Sequence, residues 1–340
     1  MIDVGSRLFL SCDLVGSTSH KQSTGDTEIW IPDFLRFYYD FPARVRENLD
    51  HPALASRLEF WKAVGDELLF TVDIEHENEV CQVVDAWIAA MAQYESELAL
   101  KNSEENSPVN KMKTKGGAFI ATFPDPDYVV AVPTTPMELD SERDVLVRNE
   151  EMRKADQPAD GRLIDYLGPS IDTGFRVIAA CSQRYFTVSL EVAWAMAYHR
   201  HFTEHDRHMD GLLLLEERQM KGVWDGRGYP VFAVDRQHRD QIVQKLASVQ
   251  HRPPVVLEEV VHLAEACKDD PRWPSRVYFK NSGYAEFTRL GPDLARRREH
   301  LDSLIDRSGE SVAEFTTADG DTESASEDST SAIEVPEPRA

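Results

Sequence analysis

Two stretches decide the fold: Phe9-Leu-Ser-Cys-Asp-Leu-Val-Gly-Ser-Thr18 and Trp61-Lys-Ala-Val-Gly-Asp-Glu-Leu-Leu-Phe70. Each sets a carboxylate, Asp13 in one and Asp66 in the other, at the end of or within an apolar run with the character of a β-strand. Carboxylates so placed are suited to holding metal rather than to packing. The first run, 7–12, leads into a turn containing Val15, Gly16, Ser17 and Thr18, whose backbone N–H groups can cradle a phosphate. Asp66 follows Gly65 between the runs 58–64 and 67–72, the pattern of a hairpin tip. Two strand-borne carboxylates brought together suit Mg²⁺ or Mn²⁺, hard ions that take oxygen ligands. That arrangement serves chemistry on a triphosphate.

Outward from these strands, 31–49 carries Phe34, Phe37, Tyr38, Phe41 and Val45 at three- and four-residue steps, which predicts an amphipathic helix. A second helix is predicted over 79–98 on Val80, Val83, Val84, Trp87, Ile88 and Met91, and a strand over 111–122. From 124 to 161 the composition turns to Pro, Asp and Glu, which predicts a long loop or inserted excursion rather than core. Pattern resumes with a helix at 172–182, a strand at 185–189, a helix at 190–199 and strands at 212–217 and 230–235. Strands and helices intermix, so the class is α/β or α+β. Helical patches at 255–266 and 294–304, separated by Pro271, Pro274 and Gly291, suggest a small appendage over 239–308 after a main domain over 1–238.

Residues 309–340 hold nine acidic residues and one basic residue with little apolar material, the composition of a disordered tail. Without its eight net negative charges the chain moves from −23 to −15. The body is therefore still acidic, which argues against nucleic acid or an anionic membrane as a partner. Any triphosphate must be met by a local cationic site and by metal. Cys12, Cys81, Cys181 and Cys267 are far apart with no C-x-x-C pair, the pattern of buried thiols in a reducing compartment. No signal peptide or membrane-spanning run is present, so a cytoplasmic protein is expected. His199, His201, His205 and His208 cluster amid Arg and Glu at irregular spacing, which favours a solvated helix end over zinc.

A third segment, Asp165-Tyr-Leu-Gly-Pro-Ser-Ile-Asp-Thr-Gly-Phe-Arg176, sets Asp172 and Arg176 four apart, on one face of a helix that starts after Gly168-Pro169. The alternative for that pair is a solvated salt bridge. An arginine fork is also the best partner for a phosphate oxygen whose charge grows in a transition state.

With these segments in order, the chain resembles a class III nucleotidyl cyclase catalytic domain. The resemblance rests on Asp13-Leu-Val-Gly-Ser-Thr, Lys62-Ala-Val-Gly-Asp66, the 165–176 segment and Met220-Lys-Gly222, and it spans roughly 7–235. It implies an α+β fold with a ferredoxin-like βαββαβ core, a mostly antiparallel central sheet flanked by helices, and head-to-tail dimerisation. It also implies that Asp13, Asp66 and the carbonyl of Leu14 hold two divalent ions, Mn²⁺ or Mg²⁺. Arg176 would stabilise the pentavalent phosphate and Lys221 would contact the triphosphate, with the metal acids and the arginine coming from opposite subunits. Asp172 stands where the family usually has Asn; an ionised carboxylate cannot donate to the ribose oxygen.

In the family the positions of Lys62 and Asp165 choose the base. A donor and an acceptor side by side suit adenine, cytosine or uracil. Phe60, Trp61 and Tyr166 beside them would shorten the pocket toward a pyrimidine if they point into it, though aromatic residues on strands are most often core. The whole pattern resembles the bacterial pyrimidine cyclases of the Pycsar antiphage system. That resemblance implies UTP as substrate, cyclic UMP as product and a separate effector protein that reads the signal without direct contact. CTP, then ATP, then a non-catalytic nucleotide-binding dimer are the alternatives.

Overall fold

The structure is a computed structural model that describes residues 4–24, 27–105, 112–134, 144–154, 162–250, 254–290, 296, 299–300 and 302–304. In chain order it comprises β1 (Gly5–Val15), α1 (Ser17–Thr24), α2 (Thr27–Asn48), α3 (Pro52–Ser56), β2 (Leu58–Val64), β3 (Glu67–Ile74) and α4 (Glu77–Glu105). There follow β4 (Lys113–Lys115), β5 (Gly117–Phe123), β6 (Tyr128–Pro133), α5 (Val145–Lys154), β7 (Arg162–Leu167), α6 (Pro169–Ile178), β8 (Tyr185–Val188) and α7 (Leu190–Phe202). The described chain continues with β9 (Leu212–Gln219), β10 (Gly228–Asp235), α8 (Gln241–Val249), α9 (Leu257–Lys268) and α10 (Ala285–Thr288).

The class is α+β. An eight-stranded sheet runs β2-β3-β1-β5-β8-β10-β9, with β4 paired beside β1. Every pairing in it is antiparallel except β5 with β8. Its first half reads β1, α2, β2, β3, α4, β5 in sequence and β2-β3-β1-β5 in space, which is the ferredoxin-like βαββαβ order.

Alternation along β1 divides the sheet into two faces. Leu8, Leu10, Cys12 and Leu14 are buried in the main core with Phe37, Phe41, Trp87 and Met91 from α2 and α4. That core holds α2 together through Pro32 and Pro42, although each proline removes a helical hydrogen bond. Trp87 has no exposure, and its indole Nε1 donates 3.0 Å to the Ser11 carbonyl. The other face carries a smaller cluster in which Phe9, Phe119 and Phe123 pack against α6 and Tyr166.

Three expectations change. Strand 111–122 is broken at Gly116, where a Cβ would lie 2.0 Å from the Ser11 carbonyl oxygen, so β4 and β5 are separate. The described parts of 124–161 form the excursion rather than a bare loop: Tyr128–Pro133 is β6, which pairs with β7 in a second, two-stranded sheet, and α5 packs on β6. A short run rich in β-branched residues needs only a partner strand, and β7 supplies it. The helix expected at 172–182 begins earlier, at Pro169, because Pro is pre-organised for a first turn.

Residues 254–290 join the same core as the sheet. Leu257, Val260, Phe279 and Phe287 are buried in it. Ser6 and Tyr278 exchange hydrogen bonds, with the Ser6 amide donating to the Tyr278 carbonyl at 3.1 Å and the Tyr278 amide donating to Ser6 Oγ at 2.7 Å. Glu191, buried on α7, accepts from Trp273 Nε1 at 2.9 Å and Ser275 Oγ at 2.6 Å. Most of the helix expected at 294–304, and the tail at 309–340, lie outside the described residues. Among the described residues no helix is long and apolar enough to cross a membrane.

Candidate functional site

Asp13 lies two residues before the end of β1, on the face opposite the main core. Its direct neighbours across the ladders are Glu67 on β3 and Lys115 on β4. The β2–β3 hairpin turns at Gly65-Asp66, as the sequence predicts, and Tyr38 from α2 donates its hydroxyl proton to the Gly65 carbonyl. The Asp13 carboxyl is pushed up chiefly by burial and further by Asp66, against the pull of Lys115. Burial pushes the Glu67 carboxyl up as well, aided by Asp13 and Asp66. Asp13 and Asp66 offer oxygen ligands, the chemistry a hard divalent cation takes, while among the described residues no group of three or more His, Cys, Asp or Glu is arranged to hold a metal ion. Two lysines answer them: Lys115 Nζ is 3.0 Å from Asp13 Oδ2 and Lys21 Nζ is 3.7 Å from Asp66 Oδ1. Val15 closes β1, Gly16 forms the turn and Ser17 opens α1, so the free amides of Ser17 and Thr18 belong to a helix start beside Asp13.

The second grouping forms around Asp165 on β7. Asp165 Oδ1 accepts from three donors: Lys62 Nζ at 2.9 Å, Trp61 Nε1 at 3.1 Å and the Tyr166 amide at 2.9 Å. Lys62 Nζ also lies 4.0 Å from the centre of the Trp61 ring. Adjacent strand residues normally point to opposite faces, so this pair needs an explanation. The β2–β3 register supplies it: Phe60 pairs with Phe70 and Lys62 with Leu69, so Trp61 is the extra residue of a β-bulge. Phe60 stays with Phe70, ring centres 5.3 Å apart, while Trp61 turns to Phe9 at 5.1 Å and Tyr166 at 5.2 Å. Tyr166 is held in turn by Arg7, which donates to its hydroxyl and pairs with Asp73 at 2.7 Å.

These side chains line a cavity of about 710 Å³ that continues past Lys62 and Asp165 toward Arg57, Arg153 and Lys280. Its volume is in the range of a nucleotide-sized ligand. Asp165 Oδ2 receives none of the hydrogen bonds found among the described residues. The pair therefore presents one acceptor and spare ammonium protons side by side.

Asp172 is exposed on α6 and Arg176 is half-buried one turn later. The alternative of an Asp172–Arg176 salt bridge is not the contact made: Arg176 Nη1 donates 2.7 Å to the backbone carbonyl of Asp172. That leaves the Asp172 carboxylate facing outward. Phe175, beside Arg176, touches Trp61 with ring centres 5.8 Å apart, which ties α6 to the Lys62–Asp165 grouping. Lys221 is exposed in the turn after β9. Among the described residues, no hydrogen bond or ion pair of Lys62, Asp165, Arg176 or Lys221 reaches Asp13 or Asp66. One chain thus carries two separate groupings on the sheet face opposite its main core.

Sequence reasoning did not single out Lys115, Lys21 or Glu67. Lys115 and Glu67 become site residues only through register with Asp13.

No protein-family model matches the chain, and no curated protein matches it. Among solved structures it is similar to the guanylyl cyclase Cya2, at 14% identity over 68% of this chain and 93% of that one, with a TM-score of 0.44. It is similar to the adenylyl cyclase CyaB from P. aeruginosa at 12% identity, 69% and 95% coverage and a TM-score of 0.45. The guanylate cyclase domain of RhGC from Catenaria anguillulae, in complex with GTP, follows at 10% identity, 69% and 99% coverage and a TM-score of 0.42. Likenesses this distant do not carry an activity across, so the functional reading rests on the chain's own residues.

Proposed function

We propose that the chain is a metal-dependent nucleotide cyclase that converts UTP to 3′,5′-cyclic UMP and diphosphate. The observation that carries the reading is the bulge at Trp61, which turns Lys62 onto Asp165 and offers a donor and an acceptor to a base edge. Trp61 and Tyr166 fill the space beside that pair, which supports a pyrimidine; the choice of uracil rests on the resemblance to the Pycsar cyclases.

Asp13 and Asp66, with the Leu14 carbonyl, would hold the divalent ions, and their oxygen-only chemistry fits Mg²⁺ or Mn²⁺. Bound there, such ions would acidify the ribose 3′-hydroxyl and hold the triphosphate. The amides of Val15 to Thr18 and Lys221 would bind phosphate oxygens, and Arg176 would stabilise charge on the phosphate under attack. Arg176 would have to leave the Asp172 carbonyl to do so, a short swing for a half-buried side chain. Asp172, as a carboxylate, would accept from a ribose hydroxyl rather than donate to the ring oxygen.

Because the two groupings share no direct contact in one chain, two copies facing head to tail would complete two composite sites. Residues 1–238 would carry the chemistry, with 254–290 packed into their core and the acidic 309–340 following. The product would be a second messenger in antiphage defence, read by a separate effector.

The test incubates the protein with each of the four ribonucleoside triphosphates and Mn²⁺ and identifies products by mass. Cyclic UMP as main product is expected. Dominant cyclic AMP or cyclic GMP defeats the pyrimidine reading, and no cyclic product from folded dimer defeats the enzyme.

A further inference from the structure

Asp13 stands in a row of three residues on one sheet face, with Glu67 on one side and Lys115 on the other. Each acid of the Asp13–Asp66 pair has its own lysine. Lys115 Nζ sits at hydrogen-bonding distance, 3.0 Å, from Asp13 Oδ2. Lys21 Nζ sits 3.7 Å from Asp66 Oδ1 and 4.3 Å from the centre of the Phe34 ring, which pins it over the hairpin tip. Two ammonium groups supply the charge of one divalent ion.

We propose that Lys115 is a resident counter-ion of Asp13, which a divalent cation must displace, and that the displaced ammonium then pairs with the triphosphate. This rests on the metal reading above. A cation cannot take Asp13 Oδ2 while an ammonium occupies it, and two positive charges held a few ångströms apart repel. Without Lys115, Asp13 would lie beside Glu67 and close to Asp66, a concentration of like charge with no ammonium against Asp13 Oδ2. The lysine therefore relieves the metal-free acid pair, and its removal leaves a more negative pocket that attracts a cation more strongly.

The displaced side chain has freedom to move and somewhere to go. It is 38% exposed, on the three-residue strand β4 that hangs beside β1. Its four-carbon stem reaches several ångströms, and the helix start at Ser17 lies four residues beyond Asp13. A triphosphate seated on those amides is a ready partner. Exposed ion pairs add little to stability, so a purely structural role would leave metal affinity unmoved.

The experiment measures free Mn²⁺ by electron paramagnetic resonance on the full chain, with no nucleotide, for the wild type, Lys115→Met, Lys115→Arg and Asp13→Asn. Lys115→Met is expected to bind Mn²⁺ about two- to fivefold more tightly, the range set by an exposed ion pair. Lys115→Arg, which keeps the charge, returns to the wild-type value. With Mn²⁺ saturating, 3′-deoxy-UTP, which lacks the attacking hydroxyl, binds Lys115→Met more weakly than the wild type. Lys115→Gln repeats both measurements should the methionine variant melt early. If removing the charge leaves Mn²⁺ affinity unchanged or weaker while the wild type binds the ion, the counter-ion role is overturned alone. A wild type that binds no Mn²⁺, or an Asp13→Asn variant that binds it equally well, overturns the metal reading and this proposal together.

Discussion

Asp127→Asn should make stability less dependent on pH, in a direction that the buried site dictates. Asp127 has no exposure and joins the end of β5 to the first turn of α6, accepting from the Thr122 amide at 3.2 Å and the Ser170 amide at 2.9 Å. Gly168 makes the approach possible: its φ is +145°, and a Cβ there would fall 2.3 Å from Asp127 Oδ1. Burial lifts the carboxyl to about 7 from its ordinary 3.8, against the hydrogen bonds from Ser170, Thr122 and Ile171. Between those values the folded chain holds a proton that the unfolded chain has released, so stability falls as pH rises through the window. The contribution is whole below 3.8 and gone above about 7.

At ~1.4 kcal/mol per pH unit the full window is worth about 4 kcal/mol. From pH 5 upward about 3 kcal/mol of it remains to be lost. Asparagine cannot ionise, although its Nδ2 cannot accept where one of the two carboxyl oxygens does, a cost that does not vary with pH. Urea unfolding of both proteins at pH 5, 6, 7 and 8 isolates the residue, since all other titrating groups cancel in the difference. The difference between the two proteins should shift in favour of Asp127→Asn by about 3 kcal/mol from pH 5 to pH 8. A difference constant across the four pH values refutes a carboxyl held protonated by burial.

Asp66→Ala should abolish turnover and leave the melting temperature within a few degrees, because Asp66 is a half-buried residue at a hairpin tip; product mass and circular dichroism check both. Trp61→Ala should raise the yield of purine cyclic nucleotides relative to cyclic UMP, read in mixed-substrate assays, and an unchanged ratio removes Trp61 from base selection. Trp87→Ala should cost about 3–5 kcal/mol by urea unfolding, through a large cavity and a Ser11 carbonyl left without its donor.

The readable parts of the fold were those where local pattern and tertiary pairing agree. Gly65-Asp66 lies between two strand-forming runs, so the hairpin follows from neighbours alone. The aromatic face of α2 similarly outweighs its internal prolines. The bulge at Trp61 left no mark, since no Gly or Pro signals it and it exists only in the register between β2 and β3. Tyr128-Val-Val-Ala-Val is hidden as a strand because Pro, Asp and Glu surround it, and its partner β7 comes after a long intervening segment. Asp13, Asp66, Lys62 and Asp165 could be selected from sequence, but not the lysines opposite the acids.

The alternation of β1 binds stability and the proposed chemistry to one register. Leu8, Leu10, Cys12 and Leu14 fix the strand in the main core, and only that register delivers Arg7, Phe9, Ser11 and Asp13 to the other face. Slipping β1 by one residue would bury Asp13 among Phe37 and Trp87, an uncompensated charge in an apolar core. The strand is thus held in place by side chains with no part in the site. On β2 the same rule is broken once, at Trp61, and the break gives Lys62 and Trp61 a common acceptor in Asp165. Substitutions on the core side of β1, and at the buried Phe9 and Ser11 on the opposite side, should therefore act through stability, and those at Asp13 through binding. Trp61 stands apart, because it is the residue whose deletion would restore regular alternation and turn Lys62 away from Asp165.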